Sequence, residues 1–254
     1  MKETLIPLAE AETSSLRDKM NSNDTQGISR MFDGIACNYD LLNSLFSFGM
    51  NHYWKRVLIR DQNGASPELA LDICTGTAET GISFSRCYRS CRVVGLDASA
   101  SMLKRGKAKI ERKGLSGQFS LIKADGLHMP FADSSFDVIL NSFGLRNEHD
   151  HRKALSEMAR VLRPKGRINI LEFSLPTNRL FRHIYLFYLS RIMPLISRLF
   201  YKDGHAYNYL SETIQKFPSR EEIVKIMSDC GFKEIELKPL TGGIVCIYKG
   251  RLAS

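Results

Sequence analysis

Between Glu68 and Ser174 the chain keeps changing its hydrophobic period, and this limits it to very few folds. Five short apolar runs, 68–73, 91–97, 118–125, 136–143 and 167–174, are each the length of a buried strand. Helical spacing fills 79–88, 99–114 and 151–166 between them. Strands alternating with helices predict a parallel sheet covered on both faces. Right-handed crossovers then bring all the strand C-terminal ends to one edge, where ligands bind in open α/β sheets. Four of the runs carry a polar residue at that end: Asp72, Asp97, Asp125 and Ser142.

Local signals sharpen the boundaries. Ser99 can cap the 99–114 helix, whose inner face carries Met102 and Leu103 and whose outer face is basic, and Gly114 can end it. Pro164 and Gly166 are read as the stop of the 151–166 helix. The alternation breaks at Pro176, and 179–202 is apolar, aromatic and basic without one acid. A further helix is expected at 219–232. Two strands, "KEIELKPL" and "GGIVCIYKG", should close the sheet as an antiparallel pair. The expected fold is α/β: a Rossmann-like, mostly parallel seven-stranded sheet with helices on both faces. Residues 1–30 read as a flexible polar tail, and 31–254 as a single domain with a helical insertion or lid at about 177–217.

The net charge of +9 calls for an anionic partner, such as a nucleic acid, a membrane surface or an acidic substrate. Six cysteines form no Cys-x-x-Cys pair and lie at no zinc-finger spacing to a histidine. They read as reduced thiols of a cytoplasmic protein, with no metal site. The N-terminal stretch lacks the apolar core of a signal peptide, and no apolar run is long enough to span a membrane.

The turn "LDICTGTAETG" (71–81) is the most specific local motif. A dinucleotide turn needs a second glycine where Ala78 stands. A P-loop needs a lysine where Ile82 stands. Asp72 and Glu79 would repel a phosphate but suit a ligand carrying positive charge, which points to S-adenosyl-L-methionine. Asp97 is placed to accept the ribose hydroxyls. Asp125 can accept the adenine amino group, and Ser142 faces the same edge.

Longer stretches carry a family resemblance. They are "MFDGIACNYDLLN" (31–43), "SFGMNHYWKR" (47–56), "ADGLHMPFADSSFD" (124–137), "SFGLRNEHDHRKALSEMARVLRPKGR" (142–167), "LEFSLP" (171–176) and "YNYLSETIQKFP" (207–218). The chain resembles the ubiquinone/menaquinone biosynthesis C-methyltransferases, from about Met31 to Gly250. It departs from them in the turn, where Gly76-Thr77-Ala78-Glu79 replaces the usual Gly-Thr-Gly-Asp. Alanine takes positive φ at a cost, so the turn is expected to use a conformation open to an L-residue.

The resemblance implies S-adenosylmethionine contacts at Thr77, Asp97, Asp125, Gly126 and Ser142, and Asp72 and Gly76 of the turn join them as cofactor-binding candidates. It implies a reduced polyprenyl quinone as acceptor, with a demethylmenaquinol favoured over a methoxy-polyprenyl-benzoquinol. Methylating a ring carbon requires the adjacent hydroxyl to release its proton or its charge to be stabilised. Arg146 is the candidate for holding that oxygen and Asn147 for orienting the second. Tyr39, Asp40 and His52 are candidates for a proton relay. Trp54, Phe46, Phe48 and Tyr53 either line an isoprenoid groove or pack in the core. The 179–202 stretch suits an anionic membrane face, which would make the protein peripheral on the inner side of a membrane; packing on the sheet is its other reading. A homodimer is left open.

Two other classes compete with this reading. A nucleic-acid methyltransferase would fit the charge, but "NSFGLRN" lacks the Asn/Asp-Pro-Pro-Tyr/Phe of base-amine methylation and no basic aromatic platform stands out. A methyltransferase of another phenol or lipid, or a non-catalytic cofactor-binding protein, would share the turn.

Overall fold

The computed structural model describes residues 25–60, 67–197 and 205–254. The expected tail as far as residue 24, and the end of the acid-free stretch at 198–202, lie outside them. Three helices lead in: α1 (Thr25–Ile35), α2 (Tyr39–Phe46) and α3 (Met50–Ile59). The alternating core follows: β1 (Leu69–Ile73), α4 (Glu79–Cys87), β2 (Arg92–Asp97), α5 (Ala100–Arg112), β3 (Phe119–Lys123), β4 (Phe136–Ser142), α6 (His151–Val161) and β5 (Leu162–Phe173). Helices α7 (Arg179–Phe187), α8 (Met193–Ser197) and α9 (His205–Lys216) form the insertion. Helix α10 (Arg220–Asp229), β6 (Phe232–Leu240) and β7 (Val245–Leu252) close the fold.

The sheet order is β3-β2-β1-β4-β5-β7-β6, parallel except where β7 meets its two neighbours. This is the expected seven-stranded α/β sheet. The strand period of two sorts its core. Leu71, Ile73 and Ile139 face one layer with Leu155 and Met158 of α6, while Ala70, Val138 and Leu140 face the other with Ile82 and Phe84 of α4. Ser99 caps α5 by accepting the Met102 N–H, and Met102, Gly106 and Ile110 form its buried stripe. Strand order reverses beside β1, between β2 and β4, so the crevice for a ligand opens there.

Two expectations needed correction. Helix α6 ends at Val161 and β5 begins at Leu162. Against β4, Phe136 pairs with Leu162 and Val138 with Arg167, so Arg163–Gly166 bulge out of the ladder. Pro164, lacking an N–H, fits a bulge without leaving a pairing unmet. Helix α1 starts at Thr25, inside the stretch read as tail, and Ser29 donates to the Ala98 carbonyl at 3.0 Å. Between α7 and α8, Tyr188–Ile192 form a π-helical turn just before Pro194, whose ring cannot continue an α-helical ladder. The insertion buries Tyr185, Leu189, Met193 and Ile214 against Leu42 of α2.

Candidate active site

The turn after β1 is held from beneath by Asp72. This carboxylate is 1% exposed and accepts the Thr75 hydroxyl at 2.6 Å and the Gly81 N–H at 2.9 Å. Burial pushes its pKa up to about 6, against those two hydrogen bonds. Asp72 was expected to face the ligand, but it lines no pocket there and serves the turn. Gly81 has to be glycine, since a Cβ there would lie 2.4 Å from the Phe119 ring.

Ala78 overturns the expected backbone. It is left-handed (φ 65°, ψ 20°), donates its N–H to Thr75 O (2.8 Å) and accepts from Ile82 N (2.9 Å). That conformation costs an L-residue about 1 kcal/mol. The fully buried methyl returns a similar amount.

Glu79 is not free for a ligand either. Lys55 of α3 lies 2.6 Å from one carboxylate oxygen, and Lys109 of α5 lies 3.7 Å from the other. Burial raises its pKa, but the two lysines outweigh burial and hold it below the usual value. Lys109 also pairs with Asp40 at 2.5 Å, and both bind the Thr77 hydroxyl. Asp40 is thereby a strut between α2 and the turn.

Two contiguous pockets open above this platform. The outer one is lined by Gly76, Asp97, Gly126, Ser142, Asn147 and Glu148, with one wall from α1. No lysine or arginine among the described residues lines it, so a phosphate would find none of them as its cation there. Asp97 receives the Gly76 and Ser99 N–H groups, both at 2.8 Å, one on each carboxylate oxygen. Burial raises its pKa against those bonds. Asp125 accepts the Leu127 N–H at 2.9 Å, and its neighbours Ala124 and Gly126 form the wall instead. A nucleoside with a positive charge and no phosphate fits this acid-lined cleft, and the buried Ser142 Oγ has no hydrogen-bond partner among the described residues.

Glu148 was missed by sequence reasoning. Burial, then the charge of Asp125, pushes its carboxyl up to about 7. The folded protein thus holds this proton more tightly than the unfolded chain does. Its stabilising effect is complete below pH 4.5, the ordinary carboxyl value, and is lost as pH rises through 7. Glu148→Gln is expected to flatten the fall of stability across that window, as measured by denaturant unfolding at several pH values. An unchanged profile would show that Glu148 is not the group that titrates.

The inner pocket lies between α2, α3 and the ends of β4 and β5. Arg146, Tyr39, Asn51, Trp54, Phe143 and Phe173 line it. Phe143 and Phe173 stack with centroids 4.5 Å apart, and Trp54 meets both edge-on. Phe143 is itself left-handed (φ 60°), a strained conformation that turns its carbonyl toward Arg146. The Arg146 guanidinium lies 5.1 Å over the Phe173 ring and donates to the Phe143 carbonyl. It also pairs with Glu172 at 2.8 Å, with side chains 7% and 0% exposed. Glu172 accepts two backbone N–H groups as well, from Arg146 (3.1 Å) and Phe173 (2.8 Å).

The candidate residues therefore separate. Asp97, Gly126 and Asn147 meet in the outer pocket, Thr77 and Arg146 in the inner one, and Tyr39, Gly76 and Ser142 border both. Asn147 was expected beside the acceptor. It lies on the outer side, accepting from the Tyr209 hydroxyl at 3.3 Å. Burial raises the Tyr39 pKa against the Arg146 charge, so Tyr39 can donate a hydrogen bond but not take up a proton. His52 is exposed and lines neither pocket, so the structure does not bring it to the expected relay. Among the described residues, no group of three or more His, Cys, Asp or Glu could hold a metal ion.

The inner pocket continues into an apolar groove shaped by Phe46, Trp54, Phe173, Tyr185, Leu189 and Ile214. Phe46 and Trp54 thus reach it, as does Phe48 at its mouth, whereas Tyr53 does not.

A family model described as the ubiE/COQ5 methyltransferase family matches residues 19–251. The chain is 38% identical over 230 residues to the ubiquinone/menaquinone biosynthesis C-methyltransferase UbiE of Stutzerimonas stutzeri (strain A1501), covering 90% of each. It is 37% identical over 232 residues to the demethylmenaquinone methyltransferase of Geobacillus kaustophilus (strain HTA426), covering 91% of this chain and 99% of that one. Among solved structures, the [4+2]-cyclase SpnF aligns with a TM-score of 0.66 at 13% identity, covering 90% of this chain and 96% of that one. A SAM-dependent methyltransferase from Aquifex aeolicus aligns at 0.54 and 16%, covering 74% and 85%. At such identities these two speak for the fold alone.

Proposed function

This chain belongs to the ubiE/COQ5 methyltransferase family, and from that premise we propose that it methylates a ring carbon of a reduced polyprenyl quinone, a demethylmenaquinol in preference to a benzoquinol. S-adenosylmethionine, when bound, supplies a methyl group on a sulfonium leaving group. The observation that carries the acceptor assignment is the inner pocket: an aromatic box under a fixed guanidinium, joined on one side to an acid-lined cleft and on the other to an apolar groove.

The protein's own groups have separate tasks in this reading. Asp97 holds the ribose and Gly76 lets it approach, while Gly126 and Ser142 border the rest of the nucleoside. Phe143, Phe173 and Trp54 hold the flat ring and exclude water, so orientation supplies much of the acceleration. Arg146 stabilises negative charge on the ring oxygen next to the reacting carbon, since a guanidinium does not act as a base. The ion pair with Glu172 fixes its plane and tempers its charge. Tyr39 donates a hydrogen bond between the two ligands.

The prenyl tail leaves by the apolar groove. Around its mouth Phe48, Leu180, Ile184 and Phe187 are 83%, 73%, 56% and 59% exposed. Arg179, Arg182 and Arg191 accompany them, with no acid between 179 and 197. An exposed apolar patch ringed by cations suits the surface of an anionic membrane. No described helix is long and apolar enough to cross one.

One assay tests substrate and surface together. Labelled methyl transfer is measured to reduced demethylmenaquinone and to a reduced methoxy-polyprenyl-benzoquinone, each presented in neutral and in anionic vesicles. The naphthoquinol is expected to react faster, and both quinols faster in anionic vesicles. If neither quinol is methylated while S-adenosylmethionine binds, the acceptor assignment falls. If rates ignore lipid charge, the membrane reading falls.

A further inference from the structure

Helix α3 turns Asn51, Trp54, Lys55 and Leu58 toward the protein interior, and one of them is a polar group with nothing to do there. The Asn51 side chain is 4% exposed, and neither its Nδ2 nor its Oδ1 has a hydrogen-bond partner among the described residues. Its backbone N–H is already met by the Ser47 hydroxyl at 3.2 Å, so the unmet groups belong to the side chain alone. A buried amide left unpaired costs about 1–3 kcal/mol. Leucine, similar in volume and apolar like Trp54 and Leu58 beside it, would avoid that cost.

The amide lines the inner pocket together with Arg146, Phe143 and Phe173. The Arg146 Nε is likewise buried without a partner. The aromatic walls can hold a ring by its faces but cannot read its substituents. Two polar groups with spare hydrogen-bonding capacity border the same space, and one of them, Arg146, holds the oxygen beside the reacting carbon in the quinol reading.

We propose that Asn51 binds a second oxygen on the acceptor ring and so is a specificity-determining residue for a dioxygenated ring. Its amide offers both donors and an acceptor, so it can pair with a ring hydroxyl in either direction. This rests on the quinol reading of the inner pocket. It predicts that the protein prefers a ring with two hydroxyls over an analogue that keeps only the activating one, because that analogue leaves the amide unpaired.

The test compares wild type, Asn51→Leu and Asn51→Asp on a prenylated dihydroxynaphthalene and its monohydroxy analogue. Cofactor affinity and thermal midpoint are measured alongside. In wild type the dihydroxy ring is expected to be favoured about 10–100-fold in kcat/KM. Asn51→Leu is expected to abolish that preference, mainly through KM, with cofactor affinity unchanged and the midpoint equal or higher. Asn51→Asp, which loses the donor but keeps the size, is expected to weaken the preference and gives the answer should the leucine variant not fold. An intact preference in either variant overturns the inference while leaving the quinol reading standing. So does a lower midpoint with weakened cofactor binding, which marks a structural role. If wild type methylates no quinol, the reading fails and takes the inference with it.

Discussion

Arg146→Ala is expected to lower kcat by about 10²–10³-fold, as removal of a donor to a developing oxyanion does, and to destabilise the fold by about 3–5 kcal/mol. The second effect follows from Glu172. With Arg146 gone, a carboxylate that is 0% exposed keeps only its two backbone donors in the core, and breaking a buried pair from one side costs that much. A simple activity assay on this variant would therefore confuse chemistry with unfolding. Arg146→Met combined with Glu172→Gln removes both charges together, and its stability is expected to return most of the way to wild type. Its turnover is not. Cofactor affinity should be near normal in the double variant, since Arg146 lines the inner pocket and not the outer one. Normal kcat in a folded Arg146 variant would remove the guanidinium from the chemistry.

Asp97→Ala should raise the S-adenosylmethionine Kd by about 100-fold or more, as read by calorimetry. Two hydrogen bonds from ribose hydroxyls to a carboxylate are worth about 1.5–3 kcal/mol each, and no second acid lies at the end of β2 to replace it. Part of the loss comes from the protein itself, because the Gly76 and Ser99 N–H groups both point at this carboxylate at 2.8 Å. Asp97→Asn separates the two contributions. It keeps the shape and one carbonyl oxygen, and is expected to hold the turn while still weakening binding about tenfold. Near wild-type affinity in Asp97→Ala would show that the ribose sits elsewhere.

The architecture was legible because strand period and strand-end polarity report the same sheet edge. Asp97 and Ser142 lie where that logic places them. The boundary at 161–166 was not, since Pro164 and Gly166 stop a helix and interrupt a strand equally well, and only the β4 register shows which. Charge led to the right cofactor by the wrong acids. Asp72 is spent on the turn and Glu79 on Lys55 and Lys109, while the acids that face the cleft are Asp97 and Glu148. Counting carboxylates in a motif does not say where they point.

Two of the misses did carry a signal. On a helix, the phase set by Trp54 and Leu58 puts Asn51 inward and His52 outward; choosing His52 for its chemistry ignored that phase. Glu172 is an acid in an otherwise apolar strand end, "NILEF", which by itself demands a buried partner. Glu148 carried none, for its environment is assembled from Gly126, Cys74 and Asp125, all distant in sequence.

Helix α1 is fastened to the segment that follows Asp97. Ser29 binds the Ala98 carbonyl, and Asp33 accepts from the Ser99 hydroxyl at 2.5 Å and the Ser101 N–H at 3.0 Å. Through Ile28, Ser29 and Phe32 the same helix walls the outer pocket. Its anchor and Asp97, the acid proposed for the ribose, therefore share one short stretch of backbone, and the departure of a spent nucleoside is expected to follow the loosening of α1. A longer residence time would slow turnover wherever release limits it, leaving the methyl-transfer step itself unchanged.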